Sequence, residues 1–217
     1  MKHKLEVDSI KLEFGLRQIL TDVYLKCETG SISGLLGRNG EGKTCLMNII
    51  YGSLKTSNKS IRFDDISVSN PFKRPDLLTF LPQFNFLPGF LSVQRIFSDF
   101  NISFLDFKNY LPEFGETEKS KINNLSTGDR RLIEIYVIIK TKSQFSILDE
   151  PFSHLTPLQI QRVSEVLLAS KPTKGFLITD HLYEQVLAIC DQLYVLTNGK
   201  IHRSNSVAEI RSLGYLR

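Results

Sequence analysis

The sequence predicts an α/β fold with a parallel sheet at its centre, and three observations carry that prediction. Short apolar runs bounded by turn residues, at 31–36, 77–82, 145–148 and 175–179, read as buried strands. Helix-patterned segments alternate with them, which is the order a parallel sheet requires. A glycine-rich loop at 37–42 joins the first of these strands to a helix expected over Lys43–Tyr51, with Gly52 as its stop.

The remaining elements follow in chain order. The first 30 residues alternate apolar and polar, as in Lys11-Leu12-Glu13-Phe14 and Val23-Tyr24-Leu25-Lys26-Cys27, and predict strands. Residues 61–68 predict a further strand pair. The stretch from Phe84 to Leu111 holds Phe84, Phe86, Phe90, Phe97, Phe100, Phe104 and Phe107. It predicts a mostly helical insert that uses most of these rings as its own core, with Phe84, Phe86 and Phe90 as candidates for an outside contact. An apolar helix pattern returns from Gly128 to Lys140. Gln192–Leu196 and the following Thr197-Asn198-Gly199-Lys200-Ile201 predict a hairpin, because Asn-Gly suits the tight hairpin turn.

Composition narrows the function classes. The 217 residues are 41% hydrophobic and 23% charged, which excludes intrinsic disorder. Lys+Arg 27 against Asp+Glu 23 leaves +4, a mild excess without the clustered basic charge of a dedicated nucleic-acid binder. No apolar run approaches the roughly 18 to 20 residues that span a bilayer. The charged start, Met1-Lys2-His3-Lys4, predicts no secretory signal. Cys27, Cys45 and Cys190 are odd in number and widely spaced, which fits reduced buried thiols and not a disulfide framework or a four-cysteine zinc site.

Two motifs carry chemistry. Gly37-Arg38-Asn39-Gly40-Glu41-Gly42-Lys43-Thr44 fits G-x-x-x-x-G-K-[ST], between an apolar strand and a helix. Glycines let successive backbone N–H groups face one point, and the helix adds its positive N-terminal end. Lys43 then reaches the β- and γ-phosphates, and the Thr44 hydroxyl can ligate Mg²⁺. The second motif is the apolar strand Phe145-Ser146-Ile147-Leu148 ending in Asp149-Glu150. A carboxylate there suits a metal contact by Asp149, and Glu150 is placed to polarise a water for attack on a γ-phosphate. A chance glycine turn and a solvated acidic turn are the bland alternatives, each weakened by the presence of the other motif.

A further run, Leu125-Ser126-Thr127-Gly128, begins 24 residues before Asp149 and opens the apolar helix. With it the chain resembles the ATP-binding cassette (ABC) ATPases along essentially its whole length. Gln83 matches the Q-loop glutamine, His181 the switch histidine, Phe14 the aromatic that stacks on adenine, and Asp149-Glu150-Pro151 the second nucleotide motif. The resemblance implies a P-loop NTPase fold, a RecA-like parallel-sheet core with an N-terminal antiparallel β subdomain and a short helical subdomain. It implies one ABC ATPase domain over 1–217, with the helical subdomain inserted at 84–140. It also implies ATP held by Phe14, Gly37, Asn39, Gly40, Glu41, Gly42, Lys43, Thr44 and Cys45. Mg²⁺ would be held by Thr44, Gln83 and Asp149, and hydrolysis would depend on Glu150, His181, Gln83 and Lys43.

By the same resemblance, two such domains dimerise head to tail, as a homo- or heterodimer. Ser126 and Gly128 of one subunit then close on the ATP of the other, and hydrolysis drives a separate transmembrane subunit. The implied place is cytoplasmic, peripheral on the cytoplasmic face of the inner membrane, with no nucleic-acid partner. Within the family, Asp149-Glu150-Pro151-Phe152, Leu177-Ile178-Thr179-Asp180-His181 and the Arg130-Arg131…Glu134 run look closest to lipopolysaccharide-export and branched-chain amino-acid importer ATPases. Four departures stand out: Thr127 for the second signature glycine, Asp129 for the usual Gln or Glu, Cys45 for Thr or Ser, and Thr156 for an aspartate. They bear on turnover and on coupling between subunits. The alternatives are a soluble ABC ATPase outside transport, a nucleotide kinase on the same phosphate loop, and a degenerate module that binds ATP with little hydrolysis.

Overall fold

A computed structural model of the chain describes residues 2–204 and 206–215. Two sheets organise it. Strands β1 (Lys4–Phe14), β2 (Arg17–Glu28), β4 (Asn58–Phe63) and β5 (Ile66–Ser67) form an antiparallel sheet in the order β2-β1-β4-β5. The central sheet runs β10-β9-β3-β8-β7-β6, with β3 (Ile32–Leu36), β6 (Leu78–Leu81), β7 (Phe145–Asp149), β8 (Gly175–Thr179), β9 (Gln192–Thr197) and β10 (Lys200–Ser204). Its neighbours pair in parallel except the β9–β10 hairpin. The turn of that hairpin places Asn198 at φ 50° and Gly199 at φ 74°, the left-handed pair the Asn-Gly sequence supplies.

Central strands are buried on both faces, so they read as continuous apolar runs. Alternate side chains feed two separate cores. Phe145 and Ile147 of β7 join Leu46, Met47, Ile49 and Ile50 of α1 (Lys43–Tyr51) and the inward residues of β1 and β2. Leu148 faces the other way, into a core with α4 (Thr127–Lys140), α5 (Pro157–Ser170) and α6 (Tyr183–Ile189). Helix α1 spans the residues expected of it, because Gly42 and Gly52, both in the left-handed region, bound it.

The Phe-rich stretch differs from its expectation. Helix occurs only in α2 (Val93–Asp99) and α3 (Phe104–Tyr110), and 84–92 is irregular. Pro88 and Gly89 explain this, since neither sustains a helix. Phe97 and Phe107 are buried and meet Phe104, Phe114 and Tyr136 mainly edge to face or tilted, as an internal core. Phe84 and Phe90 are each 72% exposed, and Phe86 is half-buried. Of the thiols only Cys27 is fully buried; Cys45 and Cys190 are partly exposed. No helix among the described residues is long and apolar enough to cross a membrane.

Candidate functional site

The glycine loop leaves the C-terminal end of β3, and α1 begins at Lys43 with no side chain capping its first N–H groups. Such a terminus offers unpaired N–H donors and the positive end of the helix dipole to an anion. The glycines serve different ends. Gly42 has φ 101°, and a Cβ there would stand 2.8 Å from Ile19 Cγ2. Gly37 has ordinary φ and is required instead for close approach, since a Cβ would meet the Leu196 carbonyl at 2.7 Å. Lys43 Nζ donates to the carbonyls of Gly37 at 2.6 Å and Arg38 at 3.2 Å, which folds the lysine back over its own loop. Burial pulls its pKa below the usual lysine value, against the charges of Glu150 and Asp149.

A cleft of about 620 Å³ opens over this loop. Of the expected residues it is lined by Phe14, Asn39, Gly40, Gly42, Lys43, Thr44, Cys45, Gln83, Glu150 and His181. Arg17 and Ile19, which sequence reading missed, line it too. Only their position just past Phe14 in the strand-rich N-terminus pointed to them. Phe14 is 55% exposed at the end of β1, so its ring belongs to the cleft and not to a core. Gly37 and Glu41 lie outside the lining; the Glu41 carboxylate accepts from Asn198 N at 2.9 Å. Ser126 and Gly128 do not reach the cleft of their own chain. Ser126 caps α4, accepting from Asp129 N at 3.1 Å.

The two acids at the end of β7 live in different surroundings. Asp149 is buried, and neither carboxylate oxygen has a hydrogen-bond partner. Burial pushes its pKa up to about 6, and Glu150 adds repulsion; the nearby Thr44 hydroxyl, short of a hydrogen bond, and the Lys43 and Arg131 charges pull the other way. Glu150 stands at φ 50°, a left-handed backbone that costs a non-glycine residue energy and aims its side chain into the cleft. Its Oε2 accepts from Ser153 Oγ at 3.2 Å and lies 3.8 Å from His181 Nδ1. His181 is held beside it from the end of β8 by the preceding residue. Asp180 is buried, its oxygens accept from Phe152 N and Leu182 N at 2.8 and 2.9 Å, and burial raises its pKa.

A parallel sheet with a glycine-rich loop at a central strand end, a loop lysine, and paired acids at the next strand end but one defines the phosphate-loop class of nucleotide-binding domains. Comparison with known proteins carries this further. The ABC transporter family profile matches residues 20–153. The chain is 30% identical over 209 residues to the lipopolysaccharide export system ATP-binding protein LptB of Escherichia coli (strain K12), covering 89% of this chain and 87% of that one. It is 26% identical to the galactose/methyl galactoside import ATP-binding protein MglA of Fusobacterium nucleatum, of whose length it spans 45%. A solved ATP-binding subunit of an ABC transporter superposes with a TM-score of 0.82 over 97% of this chain and 93% of that one, at 21% identity, which speaks to the fold. The chain belongs to the ABC transporter family, as an ATP-binding subunit. Its class is that of the transport-coupled ATPases.

Proposed function

We propose that this chain hydrolyses Mg-ATP as one half of a head-to-tail dimer, with the residues of the cleft in the following roles. The N–H groups of 40–44 and the Lys43 ammonium hold the phosphates, and the Phe14 ring stacks on the base. Glu150 accepts a proton from the attacking water, and His181 and Gln83 orient that water and the γ-phosphate. The observation that carries the reading is the convergence of Lys43, Gln83, Glu150 and His181 on one cleft, from four separate elements.

The site fits Mg²⁺. Asp149 offers buried carboxylate oxygens without partners, beside the Thr44 hydroxyl. Hard oxygen donors of this kind suit the ion. Among the described residues no group of three or more His, Cys, Asp or Glu could hold a metal alone. That favours binding together with the phosphate oxygens, with Thr44, Asp149 and Gln83 as the protein side. Bound there, the ion neutralises phosphate charge.

The position of Ser126 and Gly128 outside their own cleft supports a dimer in which they meet the nucleotide of a second copy or a related chain. Exposed Phe84 and Phe90, next to Gln83, suit a helix of a separate membrane subunit docking against the 84–90 segment. With that partner the chain sits at the cytoplasmic face of the inner membrane. The test is light scattering of Glu150→Gln with and without Mg-ATP, beside turnover of wild type and Lys43→Ala. We expect an ATP-dependent dimer and turnover lowered about 10²- to 10⁴-fold by Glu150→Gln, the usual range for a lost general base. A monomer at saturating ATP refutes the homodimer, and wild-type turnover equal to Lys43→Ala refutes the ATPase.

A further inference from the structure

The start of α4 carries a buried charge cluster that the proposed chemistry leaves unused. Arg131 is 3% exposed and Glu134 fully buried. Arg131 Nη1 donates to the Pro82 carbonyl at 2.8 Å, the residue before Gln83. Its Nη2 donates to the carbonyls of Asp149 at 3.0 Å and Glu150 at 3.1 Å. One guanidinium therefore clamps the backbone on both sides of the proposed hydrolysis site. Glu134 Oε1 accepts from Phe86 N at 3.1 Å and Leu87 N at 3.3 Å, in the segment with the exposed rings. Arg130 closes the cluster, with Nε to Glu134 Oε1 at 3.3 Å and Nη2 to the Leu87 carbonyl at 2.6 Å. Glu134 Oε2 has no hydrogen bond and faces Arg131 Nη1 at 3.6 Å.

Two features argue that the cluster serves more than stability. A buried ion pair is often matched or bettered in stability by apolar residues of the same volume. Here, moreover, every bond beyond the helix goes to the backbone of the two segments that carry Gln83 and Glu150: Pro82, Phe86, Leu87 and Glu150 outside regular structure, and Asp149 at the very end of β7. The planar fork of arginine suits this, because it offers several donors in fixed directions, which a lysine does not.

Resting on the ATPase reading above, we infer that Arg131, with Glu134, is a positioning unit that sets Gln83 relative to Glu150 and ties both to the 84–90 segment. A displacement of that segment reaches the carboxylate through the Glu134–Arg131 pair. Misplacing reacting groups by about 1 Å can cost 10²-fold in rate. The loss therefore falls on kcat while ATP binding at the phosphate loop persists.

The experiment uses the full chain with Arg131→Lys, which keeps a charge beside Glu134, and the double variant Arg131→Met with Glu134→Gln, which removes both charges. Turnover, ATP KM, thermal midpoint and amide hydrogen exchange are measured against wild type and Lys43→Ala. The expected result is kcat lowered about 10- to 100-fold in both variants, with KM within threefold and the thermal midpoint nearly unchanged. Exchange is expected to accelerate together at Phe86–Leu87 and at Glu150–Phe152. Unchanged kcat, a KM that rises in step with the loss of kcat, or faster exchange in only one of the two segments overturns the inference. Wild-type turnover no higher than Lys43→Ala refutes the ATPase reading instead, and the paired exchange then decides the linkage by itself.

Discussion

Asp149→Asn separates what this residue costs the fold from what it does for the nucleotide. Both carboxylate oxygens are buried without hydrogen bonds, and burial lifts the pKa from 3.8 to about 6. At about 1.4 kcal/mol for each pH unit, the charged form destabilises the folded chain by about 3 kcal/mol. The sign follows from linkage. A carboxyl with a raised folded-state pKa binds its proton more tightly folded than unfolded. Its relative stabilisation is complete below the unfolded value near 3.8 and is lost as pH rises through 6. Asparagine has no such titration, so the stability gap between variant and wild type isolates Asp149 while other groups cancel. Urea unfolding in EDTA should find that gap about 2 kcal/mol narrower at pH 4.5 than at pH 7.5. Mg-ATP at 100 times its Kd should add about 2.7 kcal/mol to wild type, and less to the variant. A gap that stays constant with pH refutes the buried, unpaired carboxylate. An equal Mg-ATP gain in both proteins refutes its part in binding.

Two further outcomes test the cleft. Phe14→Ala should weaken ATP by about 1–3 kcal/mol, the range for a lost stacking ring, and leave inorganic tripolyphosphate unaffected in the same calorimetric titration; equal losses for both would show a general disruption of the loop. Cys45 lines the cleft beside Thr44, and burial, reinforced by Asp149, raises its pKa. Iodoacetamide labelling should therefore be slow at pH 7, faster as pH rises and suppressed by Mg-ATP, with Cys190 indifferent to nucleotide when tryptic peptides are weighed; labelling of Cys45 that ignores Mg-ATP contradicts the placement.

Much of the cleft was legible because each of its parts is local. The phosphate loop needs only glycines, a lysine and a hydroxyl at fixed spacing between strand and helix, and α1 announces both its ends. The acids at 149–150 close an apolar strand. Helix α5 carries a capping box from Thr156 to Gln159 with Pro157 in its first turn, a start signal visible in the sequence. Other parts were illegible for physical reasons. The spread of phenylalanines over 84–111 reads as a mostly helical insert, whereas helix is confined to 93–99 and 104–110, because Pro88 and Gly89 keep 84–92 irregular. Arg131 was harder still. Helix α4 is buried from Arg131 through Ile139, so no polar face marks where a charged residue points. Its acceptors lie 49 and 18 residues away, contacts that only the fold brings together.

The departures Thr127, Asp129 and Thr156 can be weighed by what each side chain or position still supplies within the chain. Ser126 accepts a hydrogen bond as the N-cap of α4, which uses a lone pair and leaves the hydroxyl proton for a further acceptor. Capping and anion binding are therefore compatible at one residue. Asp129 sits in the first turn of α4, where a negative charge favours the helix but opposes a phosphate brought to the same end. Gly128 packs against the loop after Glu150: a Cβ would stand 3.2 Å from the His154 carbonyl and 3.5 Å from Gln159 Oε1. That contact explains a glycine at 128 with glycine lost at 127. Thr156 caps α5, donating its N–H to Gln159 Oε1 at 2.9 Å while Oγ1 accepts from Gln159 N at 3.4 Å. Threonine caps nearly as well as aspartate, so the change removes a charge and keeps the helix start. Each departure thus leaves the fold of the subunit intact. In the proposed dimer, the cost of Asp129 and Thr156 would fall on the charge that one subunit presents to the nucleotide and loop of the other.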